Sequence, residues 1–396
     1  MSIRVDPLFI ETLQRYGAFD ITACFNCGNC SAVCPLSSDN DSFPRKMIRY
    51  SQIGAKDRLL SCKELWLCYY CGECSDTCPR QAEPGEFMAS ARRYAIATLD
   101  PTGLSRLLYR SKLFTFVFII FLSVFFTLVF LSMNGSMKID SLDLFRFIPF
   151  EVIHDVGLVI IGFAILSGII GIIRMSKRLS VVLSPNRIDE ENGKKNKDIF
   201  TRLLIAIKRV LSEIGTQKRY RDCTEDDQSH IPWYRNRWFV HWSIMWGFLG
   251  LAAATGLDYV WMIFGDKIPG QPDPLWWPNR LLGNLFGLSL IYGTSLAIYS
   301  RIKRPDKYSS HSLLSDWLFL WLLIVTGLSG FIVELSLYLP MSATWVYVIF
   351  LIHVVLGMEV VFLLPFTKFA HAMYHPLALL IYHYKKSEES ISRLYL

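Results

Sequence analysis

Nine of the ten cysteines lie between positions 24 and 78, and eight of them form two copies of one pattern. The first cysteine loop reads CFNCGNCSAVCP (residues 24–35) and the second reads CYYCGECSDTCP (residues 68–79). In each loop three thiolates can hold one cubane [4Fe–4S] cluster, and the fourth, just before proline, reaches the other cluster. Gly28 and Gly72 would let the backbone wrap tightly. The spacing therefore predicts two clusters with crossed ligands: Cys24, Cys27, Cys30 and Cys78 for the first-loop cluster, and Cys68, Cys71, Cys74 and Cys34 for the second-loop cluster.

Two other uses of cysteine suit this pattern less well. Zinc usually takes two close pairs of ligands rather than a run of four that ends in proline. Disulfides are rare in a reducing cytoplasm, and the first twenty residues, which mix charged with apolar side chains, do not resemble a cleavable secretion signal. Cys62 fits no ligand position and Cys223 has no neighbouring cysteine, so we expect both to be packing residues.

Four of the eight histidines fall in apolar segments, at depths that match in pairs. Ionisable side chains inside a membrane are costly, and by default they are functional. His353 and His371 are separated by about five helical turns, so they are expected to share one face of one span at opposite depths. His241 matches the depth of His371, and His154 matches the depth of His353.

These depths predict two haems b, an inner haem between His241 and His371 and an outer haem between His154 and His353. The sequence has no CxxCH motif, so the haems would be of the b type rather than the c type. The alternative is that these histidines bond to neighbouring helices or relay protons.

Other polar residues near the membrane have less defined roles. His375 could replace His371, but Pro376 follows it and should end the regular helix there. Glu359 lies between the two proposed haem depths, as part of a proton path or as a partner of a neighbouring span. The remaining three histidines are expected at the surface: His230, His311 and His383.

The chain has 396 residues, of which 52% are hydrophobic and 19% charged, whereas about 25% of residues are charged in soluble domains. It is therefore a membrane protein with polar extensions. The sequence predicts a mostly α fold, in which an α-helical two-[4Fe–4S] ferredoxin-like domain (1–110) precedes a six-helix transmembrane cytochrome b bundle (111–380) and a tail (381–396). The six predicted spans are 113–133, 149–173, 238–263, 280–300, 316–339 and 344–368.

The net charge of +7 could suggest a nucleic-acid partner. However, lysines and arginines concentrate in the connection 174–237 and the turn 301–307, between apolar spans, where they report membrane orientation. The N-terminal domain, this connection and the C-terminus are therefore predicted to be cytoplasmic, and nucleic acid is excluded. Apolar residues between 199 and 214 recur at helical spacing, which predicts a helix on the membrane surface or against a soluble partner.

Several segments resemble known redox subunits. FPRKMIRY from Phe43, LWLCYYCGECSDTCPR from Leu65 and PGE from Pro84 resemble the small iron–sulfur subunit of heterodisulfide reductases. RWFVHWSIMWGF around His241 and HVVLGMEVVFLLPFTKFAH from His353 resemble cytochrome b subunits of those reductases and of respiratory nitrate reductase. Both parts in one chain resemble the C-subunit family of quinone-interacting membrane-bound oxidoreductase complexes of sulfate reducers and some sulfur oxidisers.

One position departs from the nitrate reductase cytochrome. That family has a second haem ligand ten residues after the equivalent of His241, where this chain has Leu251. His154 is therefore assigned by its depth alone.

The resemblance implies a subunit of a quinone-dependent oxidoreductase in the cytoplasmic membrane. Menaquinol would be the electron donor, cytoplasmic flavin and iron–sulfur subunits the partners, and adenylylsulfate reductase the destination of the electrons. Three alternatives stay open: a heterodisulfide-type or nitrate-type complex with another acceptor, a six-span proton-coupled transporter with a regulatory cluster domain, and a structural anchor.

Overall fold

The computed structural model describes residues 5–38, 41–133, 135, 143–183, 195–224, 231–265, 274–303 and 312–392. Within these ranges the chain is mostly helical, and the predicted fold class is confirmed. His230 and His311 lie outside the described residues, as does the side chain of Cys223. The expectations for these three residues therefore stay predictions.

The N-terminal domain consists of short helices that the two cysteine loops separate, followed by one long helix. Pro84 occupies the first turn of that long helix, where its missing N–H costs no hydrogen bond. The helices pack around an apolar core that includes Phe9, Met47, Leu65 and Phe87, all of them buried. They are α1 (Phe9–Gln14), α2 (Asn29–Ala32), α3 (Arg45–Gln52), α4 (Lys56–Leu60), α5 (Glu64–Leu67), α6 (Glu73–Asp76), α7 (Pro84–Leu99) and α8 (Leu104–Arg110).

Six further helices are long and apolar enough to cross a membrane, so the chain is a multi-pass membrane protein. Four of them agree with the predicted spans to within three residues at both ends, whereas the second continues ten residues past its predicted end. A short helix, α10 (Leu144–Phe147), lies between the first two. The six are α9 (Lys112–Ser132), α11 (Phe150–Leu183), α14 (Arg237–Phe264), α15 (Pro278–Lys303), α16 (Leu314–Ser336) and α17 (Ala343–Leu363).

The sixth span is shorter than predicted, because α17 ends at Leu363. Pro365 lacks an N–H group and its ring would clash with the preceding helical turn, so it prevents the helix from continuing. A short 3₁₀ turn (Lys368–Ala370) follows, and a new helix, α18 (His371–Ser392), begins. The expectation that His353 and His371 share one helix is therefore wrong.

The new helix α18 also continues through Pro376, where the sequence predicted an end. The lost backbone hydrogen bond is offset by packing, since Tyr374, Ala378 and Leu379 are buried in the same core as α5. The rings of Trp66 and Tyr374 lie 4.9 Å apart across this contact. The N-terminal domain and the membrane domain thus share one apolar core.

The connection between the second and third spans contains α12 (Lys195–Thr216) and α13 (Lys218–Thr224). Ala206 and Val210 of α12 are buried, and the helix packs against α18. Phe200, Leu204 and Leu211 remain exposed. One side of α12 therefore packs on its own chain, and the exposed apolar residues have the character of a helix at a membrane surface.

A buried carboxylate joins the two domains. Asp316, in the first turn of α16, is only 3% exposed. Its Oδ2 accepts a hydrogen bond from Arg93 Nη2 of α7 at 2.8 Å, and its Oδ1 accepts one from Lys368 Nζ at 2.9 Å. Oδ2 also accepts from the backbone N–H of Leu313 at 3.2 Å, which caps α16.

Replacing this carboxylate should loosen the contact between the domains. Asp316→Asn leaves the buried Arg93 without this negative partner, so we expect the free energy of unfolding to fall by about 3–5 kcal/mol. The measurement is the shift in thermal unfolding of the detergent-solubilised chain, followed by tryptophan fluorescence.

The matched control is Asp57→Asn. Asp57 also pairs across the domains, with Arg178 at 3.1 Å, but its side chain is 65% exposed, so its loss should cost only about 0–1 kcal/mol. Equal shifts in the two variants would contradict the role of Asp316.

Candidate metal centres

The two cysteine loops have the same backbone conformation. Gly28 and Gly72 both have φ of 100°, and Asn26 and Tyr70 have φ of 61° and 58°. The backbone N–H groups of Asn26 and Tyr70 donate to the sulfur of the first cysteine in each loop, at 3.4 and 3.3 Å. Such hydrogen bonds stabilise thiolate ligands. The sequence repeat is therefore a structural repeat, as cluster-binding loops require.

The fourth cysteine of each loop interacts electrostatically with cysteines of the other loop. Burial is the main cause of the raised pKa of Cys24 and of Cys30, and the charge of Cys78 adds to it in both cases. Burial likewise raises the pKa of Cys74, with a contribution from Cys34. These proximities support the crossed arrangement that the spacing predicts.

The donor set fits cubane clusters. The nine cysteines with described side chains are free thiols. Among the residues that the structure describes, no three His, Cys, Asp or Glu side chains lie close enough to hold a single metal ion. The four ligands of a cubane do not need to converge on one point, because irons and sulfides lie between them.

Cys62 lies apart from both ligand sets. It is buried in the core of the N-terminal domain, and its Sγ donates to the carbonyl of Arg58 at 3.2 Å. Burial raises its pKa to about 12. This is the packing role expected from the sequence.

The rings of His241 and His371 face each other with centroids 6.1 Å apart. Two imidazoles that ligate opposite faces of one iron have centroids about 6 Å apart, since each metal–nitrogen bond is about 2 Å long and the centroid lies about 1 Å behind the nitrogen. The separation of this pair therefore fits a bis-histidine haem.

The orientation of both rings leaves Nε2 available to a metal. His241 Nδ1 bonds to Gln217 Oε1 at 2.9 Å, and His371 Nδ1 donates to the carbonyl of Lys368 at 2.7 Å. Partners of this kind fix the tautomer of metal-binding histidines. Burial lowers the pKa of His371 to about 4, and the charges of Lys368 and Arg92 contribute, so the ring is neutral at pH 7 and able to ligate.

The structure places His154 and His353 in separate surroundings. His353 Nδ1 bonds to Ser329 Oγ at 2.9 Å, and its ring packs against Gly330. His154 Nδ1 donates to the carbonyl of Phe150 at 3.0 Å, and its ring stacks on Tyr259 with centroids 4.5 Å apart. In both rings Nδ1 is hydrogen-bonded. Among the described residues, however, the rings that contact His154 are those of Phe150 and Tyr259 rather than that of His353. The outer pairing stays a prediction.

A cavity of about 390 Å³ lies between α14, α15 and α16 beside this region. Leu251 and Gly330 line it, as do polar groups. Among the latter, Glu334 accepts from Arg280 Nη2 at 2.8 Å and from Asn284 Nδ2 at 3.2 Å. An apolar cavity with a few convergent polar groups can take a planar ring with polar substituents.

Glu359 lies elsewhere in the bundle. It is buried and accepts a hydrogen bond from Ser123 of α9. It therefore bonds to a neighbouring span, one of the two roles considered for it.

Two other histidines connect the domains. His375 Nδ1 bonds to the carbonyl of Trp66 at 2.6 Å, so its ring faces the N-terminal domain. His383 was expected at the surface, but its side chain is only 12% exposed and its Nε2 lies 2.8 Å from Glu213 Oε2. That expectation is wrong because α18 continues past Pro376 and carries His383 against α12.

Sequence comparison adds two family matches. Residues 20–82 match the model described as a 4Fe-4S dicluster domain. Residues 106–391, well over half of the chain, match the model described as citrate utilization protein B. The chain belongs to the citrate utilization protein B family.

Individual relatives match only part of the chain. The C-subunit of the H2:CoB–CoM heterodisulfide, ferredoxin reductase of Methanothermobacter thermautotrophicus is 32% identical over 63 residues, 16% of this chain and 34% of the relative. Citrate utilization protein B of Escherichia coli is 27% identical over 162 residues, 40% of each chain. The E-subunit of the dihydromethanophenazine:CoB–CoM heterodisulfide reductase of Methanosarcina acetivorans is 26% identical over 153 residues, 36% of this chain and 58% of the relative.

The aligned part thus covers between one third and three fifths of each of these relatives. No solved structure matches the chain. The similarity to heterodisulfide reductase subunits expected from the sequence is confirmed, whereas the particular complex named there stays a prediction.

The crossed ligand sets can be tested by replacing the fourth cysteine of the first loop, Cys34. The wild-type chain should bind roughly eight irons in two clusters. Cys34→Ser should perturb the same cluster as Cys71→Ser, because the crossed arrangement assigns both cysteines to the second-loop cluster. The cluster that Cys27→Ser perturbs should remain intact in Cys34→Ser. The measurements are iron content and electron paramagnetic resonance (EPR) of the reduced protein.

Cys62→Ser is the control and should retain both clusters. If Cys34→Ser instead perturbed the same signal as Cys27→Ser, each loop would bind its own cluster and the crossed arrangement would be wrong.

Proposed function

We propose that this chain is the membrane electron-transfer subunit of a quinone-dependent oxidoreductase complex. It would pass electrons between menaquinol and cytoplasmic flavin and iron–sulfur subunits. When bound, two [4Fe–4S] clusters and two haems b supply one-electron transfer. The observation that carries the proposal is the facing pair His241 and His371, 6.1 Å apart with both Nδ1 atoms bonded.

Each part of the chain has a defined task in this proposal. The cysteine loops hold the clusters, Gln217 and the carbonyl of Lys368 orient the inner histidines, and the bundle excludes water from them. The outer haem is assigned to His154 and His353, whose Nδ1 atoms are also bonded. The cavity beside Gly330 leaves room for a ring system in the outer half.

Orientation and partners follow from charge and resemblance. The basic connections support an orientation in the cytoplasmic membrane with the N-terminal domain and the C-terminus on the cytoplasmic side. Adenylylsulfate reductase is the proposed destination of the electrons, and nucleic acid has no role.

A second candidate is a heterodisulfide-type complex with another acceptor. It is supported by the 32% identity over 63 residues to the C-subunit of one heterodisulfide reductase and by the similarity to the E-subunit of another. Copurification of the soluble partners separates the two candidates.

Quinol should reduce the purified chain. We expect a detergent-solubilised preparation to show a b-type absorption spectrum that changes from oxidised to reduced on addition of a reduced naphthoquinone. Absence of the b-type bands would favour a transporter, and a haem that stays oxidised with the quinol but is reduced by dithionite would favour a structural anchor.

The proposed haem ligands predict how many haems the chain binds. The wild-type chain should bind two haems, and His154→Ala and His353→Ala should each lower the count to one, as measured by pyridine haemochrome against protein. His241→Ala should remove the inner haem instead. His383→Ala, which removes the contact with Glu213 but no proposed ligand, is the control and should keep both. An unchanged count in His154→Ala would overturn the outer pairing.

A further inference from the structure

Arg237 connects the second cysteine loop to the helix that carries His241. It is the first residue of α14, and His241 follows one turn later on the same face. Its Nη1 donates to the carbonyl of Cys71 at 3.1 Å, and its Nη2 donates to the carbonyl of Tyr70 at 3.0 Å. One guanidinium therefore fixes the distance between a cluster-ligand loop and a haem-ligand helix.

Aromatic rings fill the space between the same two elements. Tyr69, next to Cys68, stacks on Tyr220 with ring centroids 5.5 Å apart. Tyr220 meets the ring of His241 edge-on at 5.6 Å. The second loop and the inner histidine pair are thus joined by packed side chains.

A second arginine contacts the same loop. Arg92 of α7 donates through Nε to the carbonyl of Leu65 at 2.7 Å and through Nη2 to the carbonyl of Cys68. The second loop therefore has two guanidinium groups bonded to its backbone, on the side that faces the membrane helices.

The first loop faces away from the membrane domain. Cys27 is exposed, and the neighbouring Phe25 is 60% exposed, with Arg80 over its ring at 5.9 Å. Of the two loops, the second contacts the membrane helices and the first contacts solvent.

We propose that the second-loop cluster is the relay next to the inner haem, and that Arg237 is the positioning residue that holds it there and raises its reduction potential. This inference rests on the proposed function. A cation bonded to the backbone of a ligand stabilises the more negative, reduced cluster. The first-loop cluster then exchanges electrons with the soluble partner.

The potential of one cluster should depend on Arg237. In an EPR-monitored redox titration of the whole solubilised chain, Arg237→Gln should lower the midpoint potential of one cluster and leave the other unchanged. Arg237→Lys keeps the charge but cannot bridge both carbonyls, so it should restore part of the shift. The control is Arg235→Gln, because Arg235 lies over the ring of Tyr299 at 5.6 Å, and it should shift neither cluster.

A second measurement needs no substitution at Arg237. The paramagnetic haem should speed the spin relaxation of the nearer cluster, which Cys71→Ser and Cys27→Ser assign to a loop. The proposal expects the fast-relaxing signal to be the one that Cys71→Ser alters and that Arg237→Gln shifts.

The outcomes separate this inference from the proposed function. A fast-relaxing first-loop cluster, or unchanged potentials in Arg237→Gln, would overturn the inference while the haems and clusters remain. Absence of haem bands or cluster signals in the wild-type chain would instead overturn the proposed function.

Discussion

The position of the N-terminal domain depends on one buried carboxylate. Asp316 accepts hydrogen bonds from Arg93 and Lys368, which come from opposite sides of the domain boundary. Charges are costly to bury and are tolerated only when their geometry is well matched. The contact therefore permits one arrangement of α7 against α16, and because Lys368 lies three residues before His371, it also fixes the start of α18.

The break after α17 gives α18 a separate direction. Had the helix continued from His353, His371 would lie on a membrane span and could not meet the N-terminal domain. Since Pro365 ends α17, the new helix begins with His371 facing His241 and then packs against α5 and α12. One helix thus contacts the inner histidine pair, the N-terminal domain and the connection helix α12 through His371, His375 and His383.

Features encoded in short stretches of sequence could be predicted, and features that depend on distant contacts could not. Cysteine spacing and runs of apolar residues are local, which is why both loops and the spans were found. Gln217 and Arg237 carry no local signal, because their roles arise only when α12, α14 and the second loop meet. The predicted sixth span is too long because it runs past Pro365, which is a local sign of a helix break. The burial of His383 was not predicted for a related reason, since it depends on α18 continuing past Pro376.

The two halves of the bundle differ in a way that suits electron transfer between a fixed chain of centres and a mobile reactant. Around His241 and His371 the side chains are packed and their Nδ1 atoms are bonded, which keeps ligands in place when charge changes by one electron. Around Gly330 a cavity of about 390 Å³ combines apolar walls with the Arg280–Glu334 pair, and such a site can bind and release a molecule. In the proposed function a quinone must enter and leave the protein, whereas the residues that hold the electron-transfer centres must keep their positions. The proposed electron path runs from the outer half through the inner histidines to the second cysteine loop. On this path the cavity lies where the quinone would bind and leave, and the tightly packed side chains lie where the haem ligands must stay fixed.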